Sequence, residues 1–239
     1  MEIPLSNILF LDIETVSGHA HFHELSPRMQ EHWKKKAALL KNEDELLPED
    51  LYFDRAAIYA EFGKVLVIGL GFMKAIDKGQ WELRIKSLAS EDEASLLQEF
   101  AEIVNKFDQN QLYLCAHNGK EFDFPYLCRR MLVNGVPIPE SLQIGSKKPW
   151  EVRHLDTMEL WKFGDRKNFT SLDLLASLFG IESSKQGIDG SQVNPTWYKE
   201  KNLEKIKTYC AHDVVVLSQL YLKLNNLPLI SPEHVHILN

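Results

Sequence analysis

The stretch FLDIETV places Asp12 and Glu14 two positions apart at the carboxyl end of an apolar run. On a strand, residues at this spacing point to one face. Adjacent carboxylates repel unless one is protonated or a cation bridges them. Mg²⁺ and Mn²⁺ prefer oxygen donors, so a divalent ion is an economical resolution. A strand end opening into solvent, with both acids hydrated, accounts for the same pair.

Two later stretches add to the set. AHNGKEFDFPYL follows a second apolar run. Asn118 and Gly119 suit a turn, and a helix then carries Asp123 between Phe122 and Phe124. An aromatic ring beside such an acid can stack on a nucleobase. An acid in the first turns of a helix also simply favours the helix dipole. KTYCAHDVVVL puts Tyr209 and Asp213 four apart, on one helical face. His212 is rotated about 100° from Asp213 and reads as a surface or supporting residue. Cys210 reads as a small buried hydrophobe. Cys210 and His212 are poorly spaced for zinc, and neither CxxC nor HExxH occurs elsewhere. Asp156 and Asp173 stay outside the metal set. The first follows a short strand, and the second falls in a helix's first turn.

These residues need elements to position them. NILFLDIE, KVLVIGLGFM, QWELRIKSL and QLYLCAHN read as strands, with KAIDKG as the turn between the second and third. SEDEASLLQEFAEIVNKF reads as a helix with Ser90 and Glu93 as a capping box. KEFDFPYLCRRMLVNG is helical with Gly135 as its stop, and VRHLDTMELW is a short strand entering a helix. TSLDLLASLFGI is a helix capped by Thr170 or Ser171 and stopped at Gly180, and a last helix runs over about 203–224. Strands followed by alternating strands and helices predict an α/β protein with a mixed sheet flanked by helices. A largely helical, charged insert at about 18–60 interrupts the first strand pair, and no linker or repeat divides residues 1–239, which read as one domain. His19, His21 and His23 follow the first motif and read as surface residues.

The 239 residues carry 27 Lys and Arg against 34 Asp and Glu, a net charge of −7. That argues against broad electrostatic coating of duplex nucleic acid, but not against a local site. The segment 145–167 is net basic through Lys147, Lys148, Arg153, Lys162, Arg166 and Lys167. In the Gly-containing loop SSKQGIDGSQV, Lys185 is placed to reach a phosphate. No apolar run approaches a membrane span, and the start of the chain lacks a secretory pattern. Three cysteines without paired spacing fit reduced thiols in the cytoplasm.

Taken together, Asp12 and Glu14, then Asp123, then Tyr209 with Asp213 resemble the DEDD superfamily of 3′–5′ exonucleases, on an RNase H-like fold. The tyrosine marks the tyrosine subtype, since Thr208 stands where the other subtype has histidine. FLDIET, AHNGKEFDFPYL, SLDLLASLFGI, DGSQV and YCAHDVVVL look most like bacterial stand-alone exonucleases related to the proofreading domain of family B DNA polymerases. The likeness spans roughly Asn7 to Leu224. It implies an RNase H-like mixed sheet of about five strands with helices on both faces. It implies two divalent ions, Mg²⁺ or Mn²⁺, held by Asp12, Glu14, Asp123 and Asp213, with Tyr209 orienting a water. Thr15, Asn118 and Phe122 are implied contacts to the terminal nucleotide. The implied reaction removes nucleoside 5′-monophosphates from 3′ ends of single-stranded DNA. The same chemistry on RNA, or a silent nucleic-acid-binding module, are the alternatives. A polymerase or repair partner is open.

Overall fold

The computed structural model describes residues 3–43, 45–77, 79–165, 169–183 and 188–238. Its centre is β1 (Ile8–Ser17), whose ten residues are all buried except Asp12, which is partly so. A strand buried on both faces needs an apolar sequence with few interruptions, and ILFLDIETVS supplies one. Around it lie β2 (Gly63–Asp77), β3 (Gln80–Ala89), β4 (Tyr113–Ala116), β5 (Leu155–Asp156) and β6 (Val235–Leu238), in the order β5-β4-β1-β2-β3-β6. β1 pairs antiparallel with β2 and parallel with β4. β3 is antiparallel to β2, while β5 runs parallel to β4. The mixed sheet expected from sequence is present with one strand more. β6 pairs parallel with β3 and lies beyond the last predicted helix.

Alternate residues of β1 serve opposite layers. Leu9, Leu11 and Ile13 pack with α3 (Glu93–Val104) and α4 (Asp123–Asn134), against Phe100, Phe124 and Leu127. Ile8 and Phe10 pack against Val214 and Leu217 of α8 (Leu203–Leu224). Asp12 and Glu14 continue the even-numbered set, so they fall on the α8 side. α5 (Thr157–Lys162) and α6 (Leu172–Phe179) lie against α8. Ser171 caps α6 by accepting from the Leu174 N–H, and Gly180 ends it in the left-handed region at φ 65°.

α8 can come close because β2 carries glycine beneath it. A Cβ on Gly69 would stand 2.7 Å from Val214 Cγ2 and 2.9 Å from Cys210 Sγ. A Cβ on Gly71 would meet Val214 Cγ1 at 2.7 Å. The two carbon–carbon distances are closer than packed carbon atoms tolerate.

The capping box predicted at Ser90 is corrected. The helix begins at Glu93 with Asp92 as its cap, accepting from the Ala94 N–H at 3.2 Å. Glu93 instead faces inward. It accepts from the Val65 N–H at 2.8 Å and from Arg130 Nε at 2.9 Å, and Asn134 Nδ2 donates to it at 2.9 Å. A buried charge of this kind persists because partners surround it.

The insert is helical as expected, with α1 (Pro27–Ala37) and α2 (Pro48–Arg55). It closes on its own aromatic cluster. Trp33 meets Tyr52 edge-on with centroids 5.3 Å apart, and its Nε1–H donates to the Pro48 carbonyl at 2.6 Å. Beyond Gly190 a one-turn α7 (Val193–Pro195) runs into a wider π-type turn (Thr196–Glu200). This segment fastens the insert to the end of β1. Asn194 Oδ1 accepts from the Ser17 N–H at 2.9 Å while its Nδ2 donates to Phe53 O at 2.7 Å. Tyr198 donates its O–H to Ser17 O at 2.6 Å.

Candidate active site

The separate carboxylates predicted from sequence meet at the carboxyl end of β1. Ile13 N–H donates to Asp123 Oδ1 at 3.2 Å, tying the first residue of α4 to the backbone between Asp12 and Glu14. α8 brings Asp213 and Tyr209 over the opposite face of that strand. Glu14, Asp123 and Asp213 are each less than one-tenth exposed, and Asp12 is half-buried.

The electrostatics follow from this crowding. Burial, then the charges of Glu14, Asp213 and Asp123, hold Asp12 well above the usual carboxylate range, with a thiol hydrogen bond from Cys210 opposing. Glu14 is likewise raised by burial and then by Asp213 and Asp123. Asp123 is raised to about 7, chiefly by burial, against the pull of backbone N–H groups, one of them that of Ile13. None of Asp12, Glu14 and Asp123 forms an ion pair with a described Lys, Arg or His. The Glu14 carboxylate accepts no hydrogen bond from any described residue. Buried acids with no cationic partner are costly, and a bound divalent cation is the partner such a set fits. Asp12, Glu14 and Cys210 each offer a donor atom within 4.8 Å of the others.

Tyr209 shares a helical face with Asp213, whose charge bears on its phenol. Burial, then the charges of Asp213, Glu14 and Asp12, push its phenol far above the usual tyrosine range, so it keeps its proton. His212 is half-buried and stands outside the donor cluster.

The expected substrate contacts fall as follows. Thr15 lies 9% exposed beside an irregularity where Leu66 of β2 has no partner. Asn118 turns the chain at φ 63°. Phe122 is half-buried at the cap of α4 with its ring 5.3 Å from that of Tyr126. Lys185 lies outside the described residues, as does part of its loop. His19, His21 and His23 are exposed, with the rings of His21 and His23 stacked 5.3 Å apart.

Two residues do more here than their sequence positions suggest. Asp156 accepts from the N–H groups of Asn118 at 2.9 Å and Lys120 at 3.1 Å, and caps α5 through Met158 N–H at 2.9 Å. It thereby fixes the turn that delivers Asp123. Gly119 lies in that turn so close to Ala116 that an added Cβ would stand 2.3 Å from the alanine's. The capping role was legible in Asp156 preceding a helical run, but the reach to Asn118 was not. Cys210 is fully buried as expected, yet its Sγ lies 3.4 Å from Asp12 Oδ2. Its place three residues before Asp213, on the same helical face, was the available signal.

Two comparisons with known proteins bear on the fold and the family. The fold resembles that of the family B DNA polymerase from the hyperthermophilic archaeon Pyrobaculum calidifontis, with TM-score 0.58 and 15% identity. That match covers 90% of this chain and 24% of the polymerase chain. Residues 60–229 match a family described as a "predicted 3′–5′ exonuclease related to the exonuclease domain of PolB". Since that match takes in most of the chain, from the start of β2 through α8, the protein belongs to this family of exonucleases, which are hydrolases of phosphodiester bonds.

Proposed function

We propose that this protein is a metal-dependent 3′–5′ exonuclease that removes nucleoside 5′-monophosphates from the 3′ ends of single-stranded DNA. The observation that carries the reading is the buried group formed by Asp12, Glu14, Asp123 and Asp213, three of whose members lack any described cationic partner. Those four acids would hold two divalent ions, Mg²⁺ or Mn²⁺. Bound there, the ions supply a nucleophile at neutral pH and charge neutralisation at both oxygens of an in-line displacement.

The chain's own residues do the rest. Tyr209 retains its proton beside Asp213, and its hydroxyl would hydrogen-bond and orient the attacking water. Its role is orientation, because a phenol held this far from ionisation is no general base. Ile13 N–H holds Asp123 in place through Oδ1 and leaves Oδ2 free of that bond. Phe122, braced by Tyr126, offers a ring to the terminal base, and Thr15 and Asn118 are the further candidate contacts. Lys185 remains a candidate phosphate contact from the sequence. We take residues 1–239 as one exonuclease domain working in the cytoplasm, a setting that suits three free cysteines.

The test is a 5′-labelled single-stranded DNA, and an RNA of the same sequence, incubated with Mg²⁺, Mn²⁺ or EDTA. Shortening of the DNA from its 3′ end, abolished by EDTA and by Asp12→Ala, is expected. Tyr209→Phe should cut slowly, by about 10- to 100-fold. Shortening of RNA alone would move the substrate assignment. Binding of both strands without cleavage under any metal would establish a silent module instead.

A further inference from the structure

Cys210 projects from α8 toward β1 through the gap left by Gly69, where a Cβ would stand 2.9 Å from Sγ. Its sulfur lies 3.4 Å from Asp12 Oδ2, and the Asp12, Glu14 and Cys210 donor atoms all fall within 4.8 Å of one another. Without an ion the thiol donates to that carboxylate, and the same spacing is compatible with an ion shared between them. Metal–sulfur and metal–oxygen bonds of about 2.3 and 2.1 Å at a tetrahedral angle place sulfur and oxygen about 3.6 Å apart. The second observation is Glu14, which is 7% exposed and accepts no hydrogen bond from a described residue. A buried carboxylate left without a donor on the same face as a thiol points to a ligand between them.

We propose that Cys210 is a metal donor, so that the position between Asp12 and Glu14 is a mixed sulfur–oxygen site for thiophilic divalent cations such as Zn²⁺ and Cd²⁺. Mg²⁺ gains little from a thiol, whereas Zn²⁺ and Cd²⁺ bind thiolate strongly. The thiol proton passes to solvent as the metal–sulfur bond forms, and the two carboxylates complete a three-donor set with room for a water. The site then discriminates between ions. A hard ion uses the carboxylates alone, and a soft ion also recruits the sulfur, pulling α8 onto β1. The inference rests on the metal-dependent reading of the site, and its readout is independent of cleavage.

The experiment titrates Cd²⁺ into the metal-free full chain and follows ultraviolet thiolate-to-cadmium absorption, with equilibrium dialysis to count bound ions. The wild type, Cys115→Ser and Cys128→Ser should all develop the band, saturating at one equivalent of the ions bound. Cys210→Ser should lose it and bind Cd²⁺ more weakly by about 10- to 100-fold. Mn²⁺ affinity, carried by oxygen donors, should change by no more than about threefold in the same variant. Cys210→Ala serves as a second variant, and thermal unfolding without metal shows that each remains folded. Cd²⁺ bound without the band, or a band that survives in Cys210→Ser, overturns the proposal. Wild-type protein that degrades DNA with Mn²⁺ yet gives no band overturns the thiol donor alone. A chain that shows the Cys210-dependent band but cleaves nothing supports the donor and removes the exonuclease reading.

Discussion

Asp123→Asn is expected to stabilise the metal-free protein while destroying its activity. Asp123 is 4% exposed, and its carboxyl is raised from 3.8 to about 7. The folded chain therefore binds a proton there more tightly than the unfolded chain does. Stability attached to this group is complete below about pH 4 and is lost as pH rises through 7. A shift of about three units corresponds to about 4 kcal/mol of destabilisation at pH 8 and about 2 kcal/mol at pH 5. Asparagine removes the charge but keeps an Oδ1 to accept the Ile13 N–H. Proton sharing with Asp12 and Glu14 lowers the ceiling, so a gain above about 1 kcal/mol, roughly 2–4 °C for a chain of this size, is the expected result at pH 8. The assay is thermal and urea unfolding in EDTA at pH 8 and pH 5, with Mn²⁺ added in a parallel series. The gain should shrink at pH 5, and Mn²⁺ should stabilise the wild type more than the variant. A variant that is neutral or weaker than the wild type at pH 8, or whose gain is the same at both pH values, would refute the claim that this acid is buried against its own charge.

Three further perturbations separate positioning from packing. Asp156→Ala leaves the N–H groups of Asn118 and Lys120 without their acceptor; a loss of about 2 kcal/mol in urea unfolding and a raised KM for single-stranded DNA are expected. Gly69→Ala forces a Cβ to within 2.7 Å of Val214 Cγ2; it should cost about 1–3 kcal/mol and weaken metal-dependent stabilisation, read by melting with and without Mn²⁺. Glu93→Gln leaves Arg130 buried beside a neutral partner; a loss of about 3 kcal/mol in urea unfolding is expected, with the metal response unchanged.

Local signals in the sequence proved readable because their physics is local. The cap at Ser171, the stops at Gly135 and Gly180 and the span of α8 all follow from interactions within a few residues. Asp12 and Glu14 share a face because strand geometry leaves no choice, and Tyr209 and Asp213 because helix geometry leaves none. Glu93 shows the limit. Its spacing from Ser90 satisfies a capping box, yet the charge of Arg130, 37 positions away, outbids the cap. The approach of Cys210 to Asp12 was hidden for a related reason. It depends on which β2 residues lie under α8, and Gly69 and Gly71 are informative only once the register is known. Asp156 announced a helix start, while its hold on the Asn118 turn depends on the pairing of β5 with β4.

The contact between α8 and β1 joins residues 198 positions apart. Any ion bridging Asp12 to Asp213 is thus a reversible staple across most of the polypeptide. A link of that span removes much of the freedom of the unfolded chain, since closure entropy grows with loop length. Because β1 is synthesised well before α8, Asp12 and Glu14 gain their partners from the last helix only when the chain is nearly complete. Gly69 and Gly71 give that helix its seat. A chain without that helix would lack Tyr209 and Asp213 together, and with them one side of the candidate site.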